Sequence, residues 1–476
     1  MTRRELLRAG GALVAAPAFA QADDRPNIVL LMGDDHGWSE TSYNNHPFVR
    51  TPVLDEMAAS GLRFDRFHSA APVCSPTRGS IITGRHPNRY GTFGANFSIR
   101  PEEISIAQIL RRAGYACGHF GKWHLGPVKA DSPTNPGRMG FDEWLSHDNF
   151  FELDPHLSRN GGPPRQYKGE SSEIVVKDAM RFIRQAGQNH KPFFTVIWFG
   201  SPHSPYLGLS RDMALYKDAP PDLQARFAEI TAMDRSIGQL RTFLQKSGLR
   251  ENTLFWYYGD NGVPPEGALD MPLRGHKGQM YQGGILVPGV LEWPARIPKP
   301  VATSVHAVTT DTLPTLCDLT GQPLPSRPLD GISLRPLLEG NMQSRPSPIR
   351  FWQYVARRER DTGAKPYLSA EQQEGTTPTR TPRDGKLTRD FSNFVHPEIK
   401  PEDFAGSAAL LDNRWKLVVQ AASGQAHELY DIRQDPGEAR NVAPENTSAA
   451  AAMARELRDW QQSVLTSLTG ADYTKP

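Results

Sequence analysis

Asn27-Ile28-Val29-Leu30-Leu31-Met32 runs directly into Gly33-Asp34-Asp35. An unbroken apolar run bounded by polar residues is the pattern of a strand covered on both faces, and an aspartate pair that follows it sits at the strand's carboxyl end. Three more strand-like runs are followed by polar residues in the same way, the last two of them also continuous. Tyr115-Ala116-Cys117-Gly118-His119-Phe120 precedes Lys122 and His124, Phe193-Phe194-Thr195-Val196-Ile197-Trp198-Phe199 precedes His203, and Thr253-Leu254-Phe255-Trp256-Tyr257-Tyr258 precedes Asp260 and Asn261. Helical patterns over 51–60, 104–113, 173–187 and 222–247 fall between them. This alternation predicts an α/β domain with a large, mostly parallel central sheet flanked by helices. The texture changes after residue 345: the stretch Arg357 to Gly406 is polar and punctuated by Pro and Gly, residues 415–419 and 428–431 read as short antiparallel strands, and 446–468 as a closing helix. The expected organisation is a main domain over 23–345 and a smaller C-terminal α+β subdomain over 346–476, with an antiparallel sheet and a long insertion at about 357–406.

The 476 residues are 38% hydrophobic with 41 glycines, enough for a large packed core, and the 41 prolines show no triplet period. Three cysteines exclude a disulfide framework. The formal charge of +2 is accounted for by Arg3, Arg4 and Arg8 against Glu5, so the rest of the chain is balanced. A balanced chain is not built to bind nucleic acid, which requires a basic footprint. Thr2-Arg3-Arg4-Glu5-Leu6-Leu7-Arg8, the weakly apolar stretch Ala9 to Ala20, and the small-residue patterns Ala18-Phe19-Ala20 and Ala20-Gln21-Ala22 read as a signal peptide over 1–22. The twin-arginine translocase is then the expected partner, and the periplasm or the exterior the destination. An apolar run of about 12 residues is too short for a stable membrane anchor, which needs about 20.

In open α/β sheets ligands bind beyond the carboxyl ends of the strands. Four predicted strand ends deliver Asp34 and Asp35, Lys122 and His124, His203, and Asp260 and Asn261 to one rim. Each has an ordinary reading alone, as a turn, a cap or a satisfied loop residue; their joint arrival does not. Asp34, Asp35, Asp260 and Asn261 offer only oxygen, which selects calcium or magnesium over zinc. Cations gathered around such an ion make a pocket suited to a tetrahedral oxyanion, sulfate or phosphate.

Cys74-Ser75-Pro76-Thr77-Arg78-Gly79-Ser80, continued by Ile81-Ile82-Thr83-Gly84-Arg85, resembles the signature of the sulfatase family. A second element, Gly114-Tyr115-Ala116-Cys117-Gly118-His119-Phe120-Gly121-Lys122-Trp123-His124-Leu125-Gly126, resembles that family too. The likeness is to its formylglycine-dependent, cysteine-type members, such as arylsulfatases and N-acetylgalactosamine-6-sulfatases. Ser201-Pro202-His203, Gly259-Asp260-Asn261-Gly262, Gly275-His276-Lys277-Gly278 with Tyr281-Gln282-Gly283-Gly284-Ile285, and Glu428-Leu429-Tyr430-Asp431 with Asp435-Pro436-Gly437-Glu438 extend the match along the chain. Gln282 stands where the family often has glutamate, and Gly259 where it often has serine or threonine. Ser146-His147-Asp148 is similar to a sulfate-contacting segment of some members, which makes Ser146 a candidate substrate contact.

The resemblance implies an alkaline-phosphatase-like fold and a sulfuric ester hydrolase. It implies that a formylglycine-generating enzyme converts Cys74 to Cα-formylglycine, whose hydrate is the nucleophile, and that Ca2+ is bound by Asp34, Asp35, residue 74, Asp260 and Asn261. Arg78 and Lys122 would hold the diol, and Asp260 would take the attacking hydroxyl's proton. His203 or Lys277 would protonate the leaving alcohol, and His124 would be the base that regenerates the aldehyde. Lys122, His203 and Lys277 would also contact the sulfate, and the substrate would be a sulfated carbohydrate or an aryl sulfate. Two alternatives stay open: a phosphodiester or phosphonate monoester hydrolase of the same superfamily, and a non-catalytic sulfoglycan-binding protein if Cys74 stays a thiol. Cys117 and Cys317 read as packing residues. The 357–406 insertion is either a solvated loop or a cover over the rim that contacts substrate beyond the reacting sulfate.

Overall fold

The computed structural model describes residues 25–268, 271–354, 366–377, 390–393, 395–396, 398–420 and 427–473. The leader at 1–22 and much of the insertion lie outside these residues. Among the described residues, fifteen strands form two sheets. The large one contains β1 (Asn27–Gly33), β2 (Leu62–His68), β3 (Ala116–Lys122), β4 (Glu143–His147), β5 (His156–Arg159), β6 (Arg165–Gln166), β7 (Phe193–Trp198), β8 (Thr253–Gly259), β9 (Leu286–Glu292), β10 (Val301–Thr303) and β11 (Ala307–Val308). Its order is β10-β2-β9-β8-β1-β7-β3-β4-β5-β6, with β11 also on β2. The four strands anticipated from apolar runs are its centre, β8-β1-β7-β3, all parallel. Strand β9 runs antiparallel to both β2 and β8, which makes the sheet mixed.

The central strands read as continuous apolar runs because helices cover both faces. Ile28, Leu30 and Met32 pack with Ile81, Ile82, Ile106, Leu110, Leu313 and Leu316. Those residues come from α2 (Cys74–Thr83), α3 (Ile106–Arg112) and α6 (Thr312–Leu319). Val29 and Leu31, facing the other way, pack with Leu54, Met57, Val175, Phe182, Ile183, Met233, Ile237 and Leu240. These belong to α1 (Pro52–Ser60), α4 (Ser171–Gln188) and α5 (Pro221–Lys246).

Strands β12 (Ile349–Trp352), β13 (Ala408–Leu411), β14 (Trp415–Val419) and β15 (His427–Asp431) make an antiparallel sheet. One face packs on α7 (Thr447–Leu468) through Trp352, Leu410, Leu417, Leu457, Trp460 and Val464. Its other face packs, through Phe351, Leu411, Val418 and Tyr430, on Met280, Tyr281 and Ile285 of the large domain. The small sheet therefore backs the segment that follows Lys277.

Candidate active site

Strand register assembles the site. Gly33 pairs with Gly259, and Gly121 pairs with Trp198, so β1, β8, β3 and β7 end in one row. Asp34, Asp260, Lys122 and Phe199 are the next step along that row. The closeness has a steric condition at Gly259, where a Cβ would lie 2.0 Å from the His36 carbonyl oxygen. The serine or threonine often found there in the family has no room in this chain. Gly121 meets a similar demand: its φ is +105° and a Cβ would lie 1.9 Å from the Trp198 carbonyl.

Cys74 is the first residue of α2, and Arg78 is one turn on, on the same face. Cys74 Sγ lies 3.4 Å from Asp34 Oδ1 and 3.8 Å from Asp35 Oδ1. Arg78 donates to Asp260 Oδ2 at 2.9 Å and to the Lys122 carbonyl at 2.9 Å, and its guanidinium lies 5.2 Å from the Trp198 ring centre. Lys122 Nζ donates to Asp34 Oδ2 at 2.6 Å, with both side chains fully buried. Lys277 Nζ donates to Asp35 Oδ2 at 2.7 Å and lies 3.5 Å from His203 Nε2, which is itself 3.7 Å from Asp35 Oδ2. Asn261 Nδ2 donates to Asp35 Oδ1 at 2.8 Å, and the Asp35 amide donates to Asp260 Oδ1 at 2.8 Å.

Nine of the eleven residues singled out in the sequence are thus drawn to one place. His124 stands beside them, its Nε2 2.9 Å from Asn96 Oδ1, while the Asn96 amide donates to Ser75 Oγ next to residue 74. Ser146 faces elsewhere: on β4 it pairs with Gly121 of β3, and its hydroxyl lies 2.8 Å from His119 Nδ1.

Burial and charge pull the titrations apart. Burial opposes ionisation of Asp34, but Lys122, His203, Arg78 and Lys277 outweigh it and hold Asp34 well below the usual carboxylate range. Asp35 is lowered in the same way by His203 and Lys277. Asp260 goes the other way: burial and the charges of Asp34 and Asp35 raise it to about 7. Burial pushes the Cys74 thiol well up, so the unmodified side chain is a protonated thiol at neutral pH and a poor nucleophile. His203 is lowered by burial against the pull of Asp35, whereas Lys277 is raised, because the neighbouring negative charges, Asp35 and Asp34 among them, outweigh its burial.

Donor atoms of Asp34, Asp35, Cys74 and His203 lie within 4.8 Å of one another. Asp260 and Asn261 join this group through Asp35, and Asn261 Oδ1 is buried without a hydrogen-bond partner. Three carboxylates and an orphaned amide oxygen fit a hard divalent cation.

Two supporting residues had no motif. Arg226 of α5, fully buried, donates to both Glu40 oxygens at 2.7 and 2.6 Å, to the Asp35 carbonyl at 2.7 Å and to the Pro202 carbonyl. It thereby ties the backbones of Asp35 and the His203 loop together. Its signal was an arginine beside the apolar residues Phe227, Ala228 and Ile230, a buried charge that requires a partner.

The sulfatase family model matches residues 26–322, more than half of the chain. N-acetylgalactosamine-6-sulfatase of Mus musculus is 31% identical over 367 residues, covering 69% of this chain and 69% of that protein. Arylsulfatase A of Homo sapiens is 30% identical over 474 residues, covering 90% and 85%. Among solved structures, Ps i-CgsB in complex with k-i-k-neocarrahexaose superposes with a TM-score of 0.75 at 24% identity, over 92% of this chain and 93% of that one. The matched span contains every residue of the rim cluster, and the chain belongs to the sulfatase family as a sulfuric ester hydrolase.

Proposed function

We propose that the protein removes sulfate from a sulfated carbohydrate, with aryl sulfates as simple surrogates, using residue 74 as formylglycine and a bound Ca2+. The observation that carries this reading is the position of Cys74 Sγ, 3.4 Å from Asp34 and 3.8 Å from Asp35, whose carboxylates are paired with Arg78, Lys122 and Lys277. The three cations offset the charges of Asp34, Asp35 and Asp260. Calcium held by Asp34, Asp35, Asp260 and Asn261 would add two positive charges and polarise sulfate oxygens. Formylglycine at 74 would supply a geminal diol, one hydroxyl to attack sulfur and a second whose deprotonation expels sulfate.

The chain's own groups do the rest. Arg78 and Lys122 fix the carboxylates of Asp260 and Asp34 from the buried side. Of the three carboxylates, Asp260 is the one that burial and its neighbours' charges raise in the cation-free cluster, and it is the one assigned to accept the attacking hydroxyl's proton. Lys277 holds the proton nearest the leaving-group side, with His203 as a neutral exchange partner 3.5 Å away. Phe150 stacks on the His203 ring at 4.5 Å between centres and walls that side. A sugar substrate is supported by the relative named for N-acetylgalactosamine 6-sulfate and by the fold neighbour solved with a neocarrahexaose. The Arg3-Arg4 leader supports export of the folded chain by the twin-arginine translocase.

Parallel initial rates on an aryl sulfate, sulfated mono- and oligosaccharides and an aryl phosphate diester test this reading. The sulfate esters should be turned over orders of magnitude faster than the diester. A faster diester would establish the phosphorus-ester alternative. Sulfoglycan binding without turnover, with the Cys74 thiol intact, would establish a binding protein.

A further inference from the structure

His124 leaves the end of β3 with a φ of 56°, and its Nε2 meets Asn96 Oδ1. Which ring nitrogen carries the proton is settled two hydrogen bonds away. Asn149 Oδ1 accepts the backbone N–H of Phe150 at 2.8 Å. A backbone amide can only donate, so this contact fixes which way the Asn149 side chain is turned. Its Nδ2 is then a donor, and it reaches Asn96 Oδ1 at 3.0 Å. Two amide NH2 groups cannot bond to each other, so Asn96 must present oxygen here. That oxygen has lone pairs and no proton, so His124 Nε2 must bring the hydrogen. A neutral imidazole protonated at Nε2 keeps its lone pair at Nδ1.

Asn96 is itself held on two sides. Its N–H donates to Ser75 Oγ at 3.3 Å, and its carbonyl accepts from Ser392 N–H at 2.9 Å. Its φ of 65° lies in the left-handed region, which asparagine tolerates better than most residues.

We propose that Asn96, oriented by Asn149 and through it by the Phe150 amide, is a positioning residue that locks His124 in its Nε2–H tautomer and so makes Nδ1 the proton acceptor. This rests on the role given to His124 above. A residue that only packed against His124 would not select between its nitrogens, and tautomer control of a histidine base is worth up to about 10⁴ in kcat where it has been removed in other enzymes.

The test is 15N spectroscopy of histidine-labelled, calcium-loaded Cys74→Ala protein, with His124→Gln in the same background to assign the signal. His124 Nε2 should resonate as a protonated nitrogen and Nδ1 as a bare one. Asn96→Leu should give a mixture or the opposite tautomer, and Asn96→Asp, which keeps the acceptor, should restore the first pattern. With residue 74 intact, Asn96→Leu should lower kcat on a small aryl sulfate about 10²-fold while KM moves less than about threefold, with Asn96→Asp recovering most of the loss. If Asn96→Leu does not fold, Asn149→Leu frees Asn96 to turn over and should give the same mixture. An Nδ1–H tautomer in the parent, or an unchanged tautomer in both leucine variants, overturns the lock and leaves the sulfatase reading standing. An Nε2–H tautomer in a protein that hydrolyses no sulfate ester upholds the lock and overturns the proposed function.

Discussion

Lys122 and Lys277 each neutralise one carboxylate of the same aspartate pair, and the molecule builds them in opposite ways. Lys122 is the last residue of a central strand, buried with Asp34, its place set by the pairing of β3 with β7 and β4. Lys277 comes from a loop, keeps 23% of its side chain exposed and reaches Asp35 from the solvent side. The first half of the site is positioned by the sheet. The second is positioned from behind: the C-terminal sheet packs on Met280, Tyr281 and Ile285, and Glu438 accepts the Gln282 amide at 2.6 Å while paired with buried Lys416. One half of the site is thus fixed by strand pairing, and the other can shift with the loop and with the small sheet behind it.

The largest expected effect separates the two lysines. In chelated protein Lys122→Ala leaves fully buried Asp34 short of a partner and should cost about 3–5 kcal/mol of stability, whereas Lys277→Ala, which removes a lysine 23% exposed and leaves Asp35 its bond from Asn261, should cost less, about 1–2 kcal/mol. Turnover of the calcium-loaded variants should fall about 10²-fold or more in both. Urea midpoints that drop equally would break the comparison.

Acid should strain the sheet-built half next. His36, one residue past the aspartate pair, lies buried with Nδ1 on Tyr257 Oη and Nε2 on the Glu40 carbonyl. Burial, only partly opposed by Glu40, lowers it to about 4 from the usual 6.5. Between those values the unfolded chain takes up a proton that the folded chain refuses, so stability rises with pH there and is lost as pH falls from about 6.5 to 4, by at most about 1.4 kcal/mol per unit for this group. His36→Gln should flatten that slope in urea midpoints taken between pH 7 and 5; an unaltered slope would remove His36 from the account.

The smallest effect concerns the insertion. Ser392 bonds the Asn96 carbonyl, Ser98 N–H donates to the Ser392 carbonyl, and the Phe391 ring meets His124 at 6.5 Å. The described part of the insertion therefore touches residues beside the chemistry, in addition to any contact with remote parts of a substrate. Ser392→Pro, which deletes the N–H given to Asn96, should lower kcat on a small aryl sulfate about tenfold with little change in KM. Equal kcat with a raised KM only for sulfated oligosaccharides would return the segment to a purely substrate-contacting role.

The legible parts of the sequence were those with one dominant signal. β1, β7 and β8 announced themselves because a strand covered on both faces reads as a continuous apolar run, β3 was read as a strand despite His119 within it, and the polar residues after all four then had to lie on one rim. β2 did not, because Arg63, Asp65 and Arg66 interrupt it and a bulge between Phe64 and Phe67 breaks its alternation. β9 carries Pro288 and Gly289, which argue against a central strand, yet Gly289 lets the Phe67 side chain close on it. Arg226, Glu40, Asn96 and Asn149 were illegible for another reason. Their work is to orient neighbours across long sequence separations, and no local spacing encodes that.

Residue 74 is proposed to act as an aldehyde and not as a thiol. Mass analysis of the tryptic peptide Phe67 to Arg78, from active protein matured in a host that supplies the formylglycine-generating enzyme, tests it most directly. The account predicts that Cys74 has exchanged its sulfur and two hydrogens for one oxygen, while Cys117 and Cys317, buried in β3 and α6, remain thiols. Full sulfate-ester turnover by a preparation in which Cys74 is recovered entirely as the thiol would contradict it.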